Sequence, residues 1–125
     1  MALVTVDSAE IVISCAIKVH SATGPGLFES VYEPCLTHEL AKAGVKFRRQ
    51  VAVPLIYDNI VIDQAFRADS VVEDELIVEV KSVEQLTPLH HKQLLTYLRL
   101  TGLRKGLLIN FNAPRLKDGL KSVVA

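Results

Sequence analysis

Residues 69–81 of this 125-residue chain bring three chemically capable side chains into register. The run Glu75-Leu76-Ile77-Val78-Glu79-Val80-Lys81 alternates with the period of a strand. Glu79 and Lys81 therefore share one face, and Leu76, Val78 and Val80 take the other. A three-residue loop of Glu73, Asp74 and Glu75 pairs Val72 with Leu76 and Ser70 with Val78, and Asp74 tolerates the left-handed backbone such a loop needs. Asp69 then falls opposite Glu79, and Arg67 opposite Lys81. Directly opposed like charges destabilise a hairpin. A divalent cation between the carboxylates removes that penalty, and Mg2+ is a hard ion that binds through one or two carboxylates together with carbonyls and water. An amine beside the pair can hold a phosphate oxygen or orient a water. The same residues also fit a plainer description, an exposed acidic hairpin with an incidental Glu–Lys pair.

Two helices carry further candidates. Thr87-Pro88 supplies a hydroxyl cap and a proline at the first position, which predicts a helix to about Thr101 before Gly102. On it Gln93 and Tyr97 lie four apart on one face, with His90 three before Gln93, and Leu94, Leu95 and Leu98 fill the rest of the buried arc. Buried Gln and Tyr need polar partners; a solvated polar shoulder accounts for them equally well, and His90 and His91 read as a solvated helix start. Near the amino end, Ser8 is a cap for a helix to about Ala22, with Val12, Cys15, Ala16 and Val19 on its apolar face. Gly24-Pro25-Gly26 stops that helix. A second runs from about Leu27 to Ala43, with Glu29 in its first turn, Tyr32, Leu36 and Leu40 along one stripe, and Pro34 expected to bend or restart it.

Between these helices the pattern changes to alternation. Val51, Val53 and Leu55 predict a strand, Tyr57-Asp58-Asn59 a turn, Val61 to Val72 a second strand and Glu75 to Val83 a third. Gly106 to Phe111 reads as a last buried strand, and the tail from Arg115 as a short helix. The expected order is ααβββαβ(α): a mixed α/β fold with a central sheet flanked by helices, in one domain spanning residues 1–125.

Composition narrows the function. Half the residues are hydrophobic and mean hydropathy is +0.30, which excludes intrinsic disorder. Fourteen basic residues balance fourteen acidic ones, which argues against non-specific coating of nucleic acid. The charge is segregated all the same. Residues 58–84 hold eight acids and two bases, and residues 99–125 hold six bases and one acid, while Lys42, Lys46, Arg48 and Arg49 form a second basic cluster. Solvated faces commonly carry such clusters. Cys15 and Cys35 have no CxxC spacing and read as small buried hydrophobes. With no recognisable leader and no apolar run of membrane-spanning length, a cytoplasmic location away from membranes is expected.

In combination these residues resemble a known pattern. Gly26, Glu29 and Tyr32 match the signature of the small GxxExxY family, with Gly24-Pro25-Gly26-Leu27 similar to its lead-in. That family belongs to the PD-(D/E)xK nuclease-like superfamily. Asp69 matches its Asp, Glu79-Val80-Lys81 its (D/E)xK element, and Gln93 with Tyr97 the QxxxY motif of its exonuclease branch. Ala68 stands where the name motif has Pro. The resemblance spans about residues 10–123 and implies a restriction-endonuclease-like core and a Mg2+-dependent nuclease, Mn2+ substituting and DNA the favoured substrate. It implies that Asp69, Glu79 and the Val80 carbonyl hold the metal and that Lys81 positions and activates water. Glu29 would bind the metal or its water from the helix side, Gln93 would orient Lys81 or substrate, and Tyr97 would touch the nucleic-acid backbone. Arg48, Arg49, Arg99 and Arg104 are candidates for tracking the strand. Small dimeric members of the superfamily make a homodimer a further expectation. The alternative is a catalytically silent module that keeps the fold for binding nucleic acid or a protein.

Overall fold

Asp7, not Ser8, caps the first helix: its carboxylate accepts the Ala9 N–H at 2.8 Å. Ser8 is instead buried, and its hydroxyl donates to Glu75 at 2.7 Å. The structure, a computed structural model, describes residues 7–125. Helices α1 (Ser8–Thr23) and α2 (Glu29–Lys42) are followed by strands β1 (Phe47–Tyr57), β2 (Ile60–Val72) and β3 (Leu76–Lys81), then α3 (Pro88–Thr101) and β4 (Lys105–Asn110). The tail differs from expectation. A single 3-10 turn, Leu116–Gly119, leads into a fifth strand, β5 (Leu120–Val124), where a short helix was expected. α2 runs through Pro34 without ending, so Glu29 stands at its first residue.

The five strands lie in the order β1-β2-β3-β4-β5, antiparallel except for the β3–β4 pair. The parallel pair needs a crossover, and α3 provides it. Its start follows the sequence closely: Thr87 accepts the His90 N–H, the His90 ring accepts the Thr87 N–H at 3.0 Å, and Pro88 opens the helix. His90 is thus a capping residue.

Both faces of the sheet are covered. Val12, Ala16, Tyr32, Leu36 and Leu40 of α1 and α2 pack on Val72, Leu76, Val78, Val80, Leu107 and Ile109. Leu94 and Leu98 of α3 pack on the opposite face against Ala68, Val71, Ile77, Leu108 and Val123. β3 is therefore buried on both sides from Leu76 to Val80, as a central strand of a covered sheet must be. Cys15 lies in the first layer, where burial and then Glu39 push its thiol up in pKa. No helix among the described residues is long and apolar enough to cross a membrane.

β1 and β2 extend as an arm beyond the rest. β3 pairs with β2 only from Ser70 to Val72, whereas β1 follows β2 along its length. At Pro54, which has no N–H to give the ladder, the register shifts so that Asp63, Gln64 and Ala65 face a single β1 residue. Gly106 lets α3 approach β4: a Cβ there would lie 2.8 Å from Leu94 Cγ. Gly106→Ala is expected to lower stability by roughly 1–3 kcal/mol through overpacking, readable in urea unfolding.

Candidate active site

The three-residue loop sets the site. Val72 pairs with Leu76 and Ser70 with Val78, the register expected from the sequence, with both Glu73 and Asp74 in the left-handed region. The ladder then stops. Arg49 pairs with Ser70 and Val51 with Ala68, but Gln50, at φ +49°, breaks the run opposite Asp69. β2 turns away from β3 at this point, and Asp69 takes over the hydrogen bonding: its Oδ2 accepts the Val80 N–H at 2.8 Å. Arg67 accordingly does not face Lys81. It sits opposite Ala52 of β1 and donates to Gln64 at 3.0 Å.

Glu79 shares the α3-facing side of β3 with Ile77 and is only 5% exposed. One of its carboxylate oxygens, Oε1, has no hydrogen-bond partner among the described residues. Burial, the neighbouring Asp69 carboxylate and the hydrogen bond the two share when one is protonated push Glu79 up to about 9, against a smaller downward pull from Lys81. An exposed acidic hairpin with an incidental Glu–Lys pair is therefore not what forms. A carboxylate this deeply buried is uncommon unless something compensates it.

Tyr97 reaches the same region from α3. Its ring stacks on Phe66 with centroids 3.6 Å apart and planes 7° from parallel. Burial, then Glu79, then Asp69 raise its pKa, so its hydroxyl stays protonated beside the acids. Gln93 is half-buried one turn earlier and makes no side-chain hydrogen bond among the described residues. Lys81 is half-buried at the end of β3, where its carbonyl accepts the Phe111 N–H at 2.9 Å.

Glu29 approaches the end of β3 along a different route. Its carboxylate accepts the Ser82 N–H at 3.1 Å, and the Ser82 hydroxyl donates to the Leu27 carbonyl at 2.5 Å. Among the described residues no three His, Cys, Asp or Glu side chains converge on one ion-sized space. The pair Asp69–Glu79 stands without Glu29. Two carboxylates with a nearby carbonyl and water still suit Mg2+, and the unpartnered Glu79 oxygen beside a second carboxylate fits a hard cation. The arginines are not gathered here. Arg48 pairs with Asp74 at 3.1 Å at the β2–β3 loop, the end of β3 opposite Lys81, and Arg49 with Glu33 of α2 at 3.5 Å. Arg99 is exposed on the last turn of α3.

Two positioning residues, Asn110 and Ser82, escape a reading of the sequence for chemistry, and a third, Tyr32, shows there only as part of the GxxExxY spacing. Asn110 is buried at the end of β4 and pairs with Val83 twice, accepting its N–H at 3.1 Å and donating to its carbonyl at 2.9 Å. It fixes the chain just after Lys81. Ser82 ties that chain to the α1–α2 loop. Tyr32, fully buried and stacked on Phe111 at 4.6 Å, holds the loop from below: its hydroxyl donates to Gly24 at 2.7 Å and accepts the Leu27 N–H at 3.1 Å. A polar residue closing an apolar strand run was the one available signal for Asn110.

Layered α/β architecture, a kinked strand delivering an Asp and a central strand delivering Glu-x-Lys together define a nuclease-type core. The family model of the PD-(D/E)XK nuclease superfamily matches residues 6–123, and the chain belongs to that superfamily. No curated protein and no solved structure matches it.

The buried Glu79 makes metal-free stability depend on pH. Its folded pKa near 9 lies above the ordinary 4.5, so the stability its proton confers is full below about 4.5 and is lost as pH rises toward 9. In EDTA, unfolding free energy should fall by about 3 kcal/mol between pH 5 and pH 7, and Glu79→Gln should remove most of that slope.

Proposed function

We propose that the chain is a metal-dependent nuclease of the GxxExxY type, hydrolysing phosphodiester bonds of nucleic acid in the cytoplasm, with DNA the favoured substrate. The observation that carries this reading is the buried Glu79 oxygen, unpartnered among the described residues, beside the Asp69 carboxylate and two residues from a lysine of the same face. Asp69, Glu79 and the Val80 carbonyl are the residues that would hold Mg2+, or Mn2+ in its place. Such an ion supplies Lewis-acid polarisation of a phosphoryl oxygen and a water acidic enough to act near neutral pH.

The remaining work falls to the chain. The Val80 N–H keeps the Asp69 carboxylate oriented. Lys81 offers a compact positive charge with three donors, suited to holding a water or a phosphate oxygen. Glu29, Gln93 and Tyr97 are assigned to the rim: Glu29 braces the chain after Lys81, Gln93 has free amide valences for Lys81 or substrate, and the protonated Tyr97 can donate to a phosphate. Arg48, Arg49 and Arg99 are assigned to the flanking strand. Exposed ion pairs such as Arg48–Asp74 contribute little and are readily exchanged for phosphate.

A homodimer belongs to this reading, and the β1–β2 arm supports it. Leu55 pairs with Ile62 and Tyr57 with Ile60 on one face, and Ile56 with Val61 on the other. Ile56, Tyr57, Ile60, Val61 and Ile62 are between 42% and 71% exposed. Spread over both faces of the ribbon they offer roughly 600 Å2 in all, against about 800 Å2 that each partner gives to a standard interface, so a partner has to grip the arm from both sides. The tip of the arm, residues 54–65, carries Asp58 and Asp63 and no basic residue, which disfavours nucleic acid as its cover. A second copy meeting it across a two-fold axis is the occupant assigned.

Asp69→Ala, Glu79→Ala and Lys81→Ala should each lower Mg2+- or Mn2+-dependent cleavage by at least about a hundredfold, scored on single-stranded, duplex and branched DNA and on RNA. A wild-type protein that cleaves none of these is a silent module instead. Sedimentation should give a dimer at micromolar concentration that Ile60→Lys converts to a folded monomer.

A further inference from the structure

The ring of Phe28, at the junction of the α1–α2 loop with α2, is 80% exposed, more than any other large apolar side chain among the described residues. The backbone that carries it is firmly held. Leu27 is fixed through its N–H by Tyr32 at 3.1 Å and through its carbonyl by Ser82 at 2.5 Å. Glu29, the next residue, accepts the Ser82 N–H at 3.1 Å. Gly26, at φ +96°, lets the chain turn into this arrangement. None of these bonds involves the ring, so the loop is anchored while the aromatic face is left open.

That face borders a surface cavity of about 390 Å3 lined by Leu27, Phe28, Glu29, Ser30 and Ser82. Its size lies within the range of small-ligand sites. Ser82 directly follows Lys81, so the cavity lies at the end of β3 that carries Lys81. Its one ionisable group is the Glu29 carboxylate and it contains no basic residue, which suits a neutral planar group better than a phosphate. Flanking hydroxyls and a carboxylate can meet the polar edge of such a group.

We infer that Phe28 is a stacking platform for an unpaired nucleobase next to the phosphate that Lys81 addresses. Inside a duplex both faces of each base are covered by neighbours. A fixed ring at this place therefore selects single strands, overhangs or locally opened junctions over intact duplex. The inference rests on the nuclease reading and narrows its substrate class.

The chain has no tryptophan, so Phe28→Trp places one fluorophore at the position in question. Titrated in EDTA with a thymidine oligonucleotide, its emission should quench saturably, and a blunt hairpin duplex should leave it nearly unchanged. Fluorescence anisotropy should show Phe28→Ala weakening single-strand binding by about ten- to a hundredfold, the range expected for one lost stack, with duplex binding altered less than about twofold. Phe28→Leu, apolar but without a π face, should behave like Phe28→Ala. Equal single-strand affinity in wild type and Phe28→Ala, equal losses on duplex, or full recovery with Phe28→Leu would each overturn the assignment. Cleavage by wild type in Mg2+ alongside an indifferent Phe28→Ala sinks this inference alone. Absence of both binding and cleavage by wild type removes the nuclease reading with it.

Discussion

Two carboxylates that repel one another are held together in a poorly hydrated place, and much of the surrounding structure serves to keep them there. Asp69 and Glu79 come from adjacent strands whose pairing stops one residue short of them. Continued pairing would have left Asp69 as an ordinary ladder residue. The break frees its side chain to take the Val80 N–H, and α3 closes over Glu79. The folded chain alone resolves the repulsion by keeping Glu79 protonated. A bound cation resolves it differently, by replacing the proton. Burial cost, raised pKa and an unpartnered oxygen are thus three expressions of one constraint.

Around that pair the chain is fixed from three sides. Asn110 holds Val83 in the manner of a strand partner, and the Phe111 N–H holds Lys81. Ser82 bonds through its N–H to Glu29 at the start of α2 and through its hydroxyl to Leu27 of the α1–α2 loop. Tyr32 carries this constraint into the core by stacking on Phe111, the residue whose N–H meets Lys81. The Gly26, Glu29 and Tyr32 spacing therefore has a mechanical meaning: a turn, a brace and an anchor that tie the end of β3 to the first helical layer. Rigid support of this kind is what a site needs if groups are to act without reorganising.

Much of this was legible in the residues. The β2–β3 register followed from loop length and turn chemistry, because a one-residue slip would have exchanged the two buried faces of β3. The start of α3 followed from Thr87-Pro88, and the G-P-G break fixed the boundary of α1. What was not legible depended on distant contacts. Nothing in the identity of Gln50 announces a left-handed residue; its side chain bonds to Glu33 of α2, a partner 17 positions away. β5 is not legible because Leu120–Val124 is short and its apolar residues, Leu120, Val123 and Val124, do not alternate; pairing with β4 makes it a strand. Continuous pairing past Asp69 would set Arg67 opposite Lys81; the break in the ladder leaves it opposite Ala52 of β1 instead. Glu29 reads in sequence as part of a carboxylate cluster, yet the fold brings it to Ser82 and leaves the acidic pair without it.

The account turns on whether the Asp69–Glu79 pair is a cation site. Calorimetric titration of Mn2+ into the full chain near neutral pH tests it directly. The expected result is saturable binding of about one ion per chain that Asp69→Ala removes while the fold is retained. Absence of specific heat, or binding unchanged in Asp69→Ala, would contradict it.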